Sequence, residues 1–169
     1  GFAALLGALA GGASKIIVAD VNKEKLAQAM ALGAHDAIDT SEANALEQIR
    51  DLTRGGVDIG LEFAGVIPAL EFTYNATARG GKTVTAGLPH PSKKMEFAPV
   101  KLVAEERTLQ GSYLGSCIPA RDIPAYIKLY QSGRLPVDKL MTHKLQLNDI
   151  NEAFERLAEG KAIRQIITF

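Results

Sequence analysis

Cysteine is nearly absent from this chain: Cys117 is the only one in 169 residues. A single thiol excludes an internal disulfide and any zinc site built from several cysteines. There is no tryptophan, and neither charge is in surplus: 19 basic side chains balance 19 acidic ones, for a net charge of zero with His neutral. That balance lacks the basic footprint of a nucleic-acid binder. Long apolar runs are missing too. Gly1–Leu9 is apolar but far short of the ~20 residues that span a bilayer, and no basic segment precedes it as in a signal peptide. The expectation is a globular protein in a reducing, cytoplasmic setting, with no membrane and no nucleic-acid partner. Its composition, 47% apolar and 22% charged, is ordinary for such a protein. Its length suits about one domain of roughly 100–200 residues.

Glycine is well represented, and it punctuates the chain. The opening stretch, GFAALLGALAGGASKIIVAD, reads as a helix, a Gly11-Gly12 stop and a short apolar strand, Lys15–Ala19, tipped by Asp20. An acid at the tip of the second strand of a βαβ unit is where a dinucleotide-binding fold receives the adenosine ribose. Its oxygens accept hydrogen bonds from both ribose hydroxyls, and its charge repels a 2′-phosphate. The glycine fingerprint that cradles the pyrophosphate belongs before this helix. Here only its last glycine is present, as Gly1. The sequence therefore reads as one that starts inside the motif, with the first strand missing.

From Gly1 to about Tyr113, strand and helix patterns alternate, the mark of βαβ units and a mostly parallel sheet. Asn22 caps a helix over Lys23–Leu32, which Gly33 stops. Ala37-Ile38 is a short strand. Ala45–Thr53 is a helix striped by Leu46, Ile49 and Leu52 and closed by Gly55-Gly56. Val57–Phe63 is a strand, and Pro68 opens a helix that runs to Ala78 and is ended by Gly80-Gly81. Lys82–Ala86 is the next strand, Val100–Glu105 a short helix and Arg107–Tyr113 a strand. After Gly115 the alternation loosens. Helices are expected at Ile123–Gln131 and, capped by Asn148, up to Ala158. Leu140–Leu147 is extended, and Ile163–Phe169 is a closing strand.

Taken together, VADVNKEKLAQAMALGAHDAID, GGVDIGLEFAG, GGKTVTAGLPHP, ERTLQGSYLGS and DINEAFERLAEGKAIRQIITF resemble the C-terminal portion of a zinc-dependent alcohol dehydrogenase of the medium-chain dehydrogenase/reductase superfamily. The resemblance spans the whole chain in order. It implies an α/β fold: a Rossmann-type doubly wound parallel sheet over residues 1–114, truncated at its N-terminus. Residues 115–169 would return to the catalytic domain. It implies NAD and zinc as cofactors, a small alcohol or aldehyde as substrate, and a homodimer or homotetramer with Arg107–Tyr113 at a subunit contact. No catalytic residue and no metal ligand is expected in this chain, because the family carries its zinc ligands and proton relay in the preceding part.

The cofactor-binding residues follow position by position. Asp20 is the ribose ligand, and the family's Asp-x-Asn-x-x-Lys pattern is intact in Asp20, Asn22 and Lys25. Gly1 is the third fingerprint glycine. Phe63 and Ala64 fall where the family lines the adenosine side. Ala86, Leu88, Ser112 and Leu114 fall on the nicotinamide-contacting segments, which act largely through backbone groups. Arg164 falls where an arginine meets the pyrophosphate, a planar guanidinium being able to hold two oxygens. His35, His90 and His143 show no mutual metal-ligand spacing, and Cys117 reads as a packing residue with no base beside it. Two rivals stand beside this reading. One is a zinc-free quinone-type reductase of the same superfamily, which usually favours NADPH and which Asp20 opposes. The other is a non-catalytic protein that shares the fold.

Overall fold

Every strand of this chain pairs in parallel. Parallel neighbours need a crossover between them, usually a helix, and the observed order supplies one each time. The computed structural model describes all residues, 1–169. Its elements are α1 (Phe2–Ala10), β1 (Ile17–Asp20), α2 (Lys23–Ala31), β2 (Asp36–Asp39), α3 (Ala45–Thr53), β3 (Val57–Glu62), α4 (Ile67–Ala76), β4 (Thr77–Thr85), α5 (Pro99–Ala104), β5 (Thr108–Gly111), α6 (Pro119–Gln131), β6 (Met141–Leu145), α7 (Ile150–Ala158) and β7 (Arg164–Ile167). The strands form three sheets, β1-β2, β3-β4-β5 and β6-β7. This is the expected α/β architecture of a Rossmann-type fold.

The chain divides into two compact units: Gly1 with Ile17–Pro119, and Phe2–Ile16 with Ala120–Phe169. In the first unit the core lies where α3 meets both strand groups. Ile38, Ala45, Ile49 and Ala76 are buried together, with Ile17, Leu46, Val57 and Phe72 packed against them. Ala45, Leu46 and Ile49 of α3 thus pack against residues of both the two-stranded and the three-stranded sheet, whereas Leu52, the third residue of the expected stripe, is 38% exposed. In the second unit Leu5 and Leu6 of α1 are buried, and the Ala10 carbonyl accepts a 2.9 Å hydrogen bond from Arg134. There β7 is tied to α7 by Gln165, whose amide donates to the Ala153 carbonyl at 2.6 Å.

Three local expectations need correction. The fourth helix ends at Ala76, two residues early, and Gly80-Gly81 lies inside β4 rather than before it. The buried Thr77 hydroxyl donates to the Thr73 carbonyl and pairs with Thr83, both at 2.8 Å. That anchoring draws Thr77 into the strand, and the residues up to Gly81 form an irregularity in the β3–β4 register. α3 is closed one residue earlier than its glycine pair, by Arg54 in the left-handed region at φ 57°. Asn148 caps nothing. A 3-10 turn over Leu147–Asp149 precedes α7, and Asp149 accepts from the Gln146 N–H at 3.0 Å in a reciprocal capping box.

Candidate functional site

In a parallel α/β sheet, ligands bind at the carboxyl ends of the strands. Asp20 is the last residue of β1. Its Oδ1 accepts the Asn22 N–H at 2.9 Å, and Asn22 in turn caps α2 by accepting from Glu24 and Lys25 N–H at 2.9 and 3.1 Å. One short run thus fixes the acid, starts the helix and places Lys25 in its first turn.

Asp39 stands opposite Asp20 in the β1–β2 register, but it is otherwise engaged. Hydrogen bonds from the Ser41 hydroxyl and backbone N–H, with Lys23 at 3.6 Å, hold its carboxyl below the ordinary value. Lys23 is therefore a partner of Asp39. A shallow hollow beside Asp39, lined by Lys23, Met30, Glu42 and Gln48 among others, does not include Asp20.

The other expected contact segments come together in the three-stranded sheet. Phe63 and Ala64 follow β3, Ala86 and Leu88 follow β4, and Ser112 and Leu114 follow β5. These strands are consecutive neighbours, and their exits are laced together. Ala86 N–H donates to the Glu62 carbonyl at 2.9 Å, and Ser112 N–H donates to the Thr85 carbonyl at 2.8 Å. Leu88 and Leu114 are 78% and 79% exposed, and Phe63 is 44% exposed, so these are open loop tips. The sequence did not single out Glu62. It is 3% exposed and sits beneath two of these loops. Its signal was an acid in the buried register of a strand, with glycines following each strand end.

Gly1 and Arg164 are the two remaining expected residues. Nothing packs within 4 Å of where a Cβ on Gly1 would stand, so the close approach expected of a fingerprint glycine is not made within this chain. Arg164 is exposed at the start of β7, in the second unit. Its carbonyl accepts from Thr142 at 2.9 Å.

The zinc-binding dehydrogenase profile matches residues 1–132, which is most of the chain and the whole of the site just described, Arg164 excepted. The chain belongs to the zinc-binding dehydrogenase family. It is 36% identical over 172 residues to the alcohol dehydrogenase class-2 isozyme 2 of Oryctolagus cuniculus, covering 100% of this chain and 45% of that protein. It is 35% identical over 170 residues to alcohol dehydrogenase 1 of Cenchrus americanus, covering 99% of this chain and 45% of that protein. The crystal structure of benzyl alcohol dehydrogenase from Acinetobacter calcoaceticus matches with a TM-score of 0.94 and 32% identity, over 99% of this chain and 46% of that one. This zinc-binding dehydrogenase chain spans about half the length of the relatives it matches. The family's zinc does not fit the residues present. No group of three His, Cys, Asp or Glu side chains is placed to hold a metal ion. No helix is long and apolar enough to cross a membrane.

Proposed function

We propose that this chain is the cofactor-binding portion of an NAD-dependent, zinc-dependent alcohol dehydrogenase, which transfers a hydride between a small alcohol or aldehyde and NAD. One observation carries the cofactor choice: Asp20 ends β1 with its Oδ1 held by Asn22 N–H at 2.9 Å. A carboxylate fixed in this way accepts from the ribose hydroxyls and repels a 2′-phosphate. Lys25 reaches the ribose or adenine edge from the first turn of α2. Phe63 and Ala64 line the adenosine side, and backbone groups of Ala86, Leu88, Ser112 and Leu114 meet the nicotinamide side. Gly1 and Arg164 serve the pyrophosphate. NAD, when bound, supplies the hydride acceptor, and the chain's part is to orient it. The zinc ligands and the proton relay belong to another part of the longer protein. β5, at the edge of its sheet, supplies the subunit contact of a homodimer or homotetramer.

The test is steady-state kinetics on the complete gene product. Alcohol-dependent NAD reduction, with kcat/KM for NAD above that for NADP, is the expected result. NADPH-dependent quinone reduction without alcohol oxidation would assign the protein to the zinc-free reductases. Cofactor binding without turnover of either kind would leave a fold-sharing protein.

A further inference from the structure

Glu62 is a buried acid that the reaction does not use. It is 3% exposed, and its partners are neutral donors. Oε1 accepts the Gly65 N–H at 2.6 Å, and Oε2 accepts the Thr85 hydroxyl at 2.6 Å. Its own carbonyl accepts the Ala86 N–H at 2.9 Å. A buried carboxylate is costly unless its oxygens are satisfied, so this fork is held only while both donors stay in place. Around the fork the loops touch backbone to backbone. A Cβ on Gly87 would overlap the backbone of Gly65 and stand 2.9 Å from Glu62 Oε1. Gly65 has φ +69°, and a Cβ there would lie 3.0 Å from the Leu88 nitrogen. Two bare glycines thus let the loop after β3 lie on the loop after β4, and one carboxylate pins the first loop to the end of β4.

We propose that Glu62 is a positioning residue for the cofactor site: it latches residues 63–66 to residues 86–88 so that both loops present one fixed backbone surface to the dinucleotide. The ligand's identity rests on the function proposed above; the latch does not. A site that binds through backbone groups depends on such support, because there is no side-chain rotamer to adjust. Ala64 and Leu88 are then held in register by a residue that never touches the ligand. The chemistry also separates the substitutions. In Glu62→Gln the side chain still offers an oxygen to Gly65 N–H and an NH2 to the Thr85 hydroxyl, which can accept. In Glu62→Ala the fork is gone. Thr85→Val removes one anchor at nearly constant shape.

The experiment compares wild type, E62A, E62Q and T85V in the complete gene product. The readouts are NAD affinity by calorimetry, thermal midpoint, and hydrogen exchange of the Gly65 and Ala86–Leu88 amides without ligand. The expected result is faster exchange at these amides in E62A and T85V, with NAD affinity down about tenfold, as loss of one or two hydrogen bonds implies. E62Q is expected to recover most of both. If E62A fails to fold, T85V carries the comparison. Wild-type NAD affinity in folded E62A or T85V would overturn the proposal, as would E62Q behaving like E62A. If wild type takes up no NAD, the cofactor reading fails, and the exchange data decide the latch alone: protection unchanged in E62A and T85V overturns it, and protection lost there and regained in E62Q upholds it.

Discussion

Asp20, Asn22 and Lys25 were legible as a group because the side-chain hydrogen bonds that join them run between residues at most three apart. Glu62 was not, because Thr85, its second anchor, is 23 residues away and only the β3–β4 pairing brings them together. Asn148 was misread as a cap. The capping box joins Gln146 and Asp149 across the 3-10 turn that precedes α7, and the start of α7 itself carries no side-chain cap bond. At this scale Arg164 carries a sharp expectation. It is exposed, so Arg164→Ala leaves the fold intact. If its guanidinium meets the pyrophosphate, NAD affinity falls by about 1.5–3 kcal/mol, roughly ten- to hundredfold. Calorimetric titration of wild type and mutant checks this, and equal affinities would return Arg164 to the solvent-facing surface.

Among the elements, the start of α2 was read well because Asn22 caps it locally. Ends set by tertiary anchoring were missed. Thr77 leaves α4 because Thr73 and Thr83 hold its hydroxyl, and no local pattern announces that. Two substitutions probe these elements. Asn22→Ala removes the acceptor of two N-terminal N–H groups and should cost about 1 kcal/mol in denaturant unfolding. The bond to Asp20 Oδ1 comes from the backbone N–H of residue 22 and is kept in this variant. Gly56→Ala should cost more, at least about 1–3 kcal/mol. Gly56 has φ +140°, and its Cβ would stand 2.7 Å from the Ala78 nitrogen and 2.8 Å from the Ala76 oxygen. A Gly56→Ala variant as stable as wild type would mean that the β3–β4 entry has room that this packing denies.

For the whole molecule, the alternation of strands and helices was enough to expect parallel sheets, and every pairing is parallel. The β1-β2 and β3-β4-β5 sheets are not hydrogen-bonded to each other, so each leaves strand edges unpaired. Edges and apolar faces left open in this way invite association: Ile59 and Leu61, two apart in β3, are 61% and 44% exposed, and Phe63, just past the strand, is 44% exposed. The chain purified by itself should therefore self-associate with rising concentration in sedimentation velocity. A monodisperse monomer throughout would argue that these surfaces need no cover. The same chain should carry no stoichiometric zinc and oxidise no alcohol, because its three histidines and one cysteine do not assemble the three-ligand open site of a catalytic zinc. Metal analysis and an NAD-reduction assay on it check this, with the complete gene product as positive control.

The most direct measurement concerns the acid at the end of β1. NAD and NADP are titrated separately into the complete gene product, wild type and Asp20→Ala, and the two dissociation constants are compared. Wild type should bind NAD more tightly than NADP. Asp20→Ala should weaken NAD binding while narrowing or abolishing the discrimination, since the ribose acceptor and the charge that repels a 2′-phosphate are lost together. Equal affinity of wild type for both dinucleotides, or discrimination unchanged in Asp20→Ala, would contradict the placement of the ribose at Asp20.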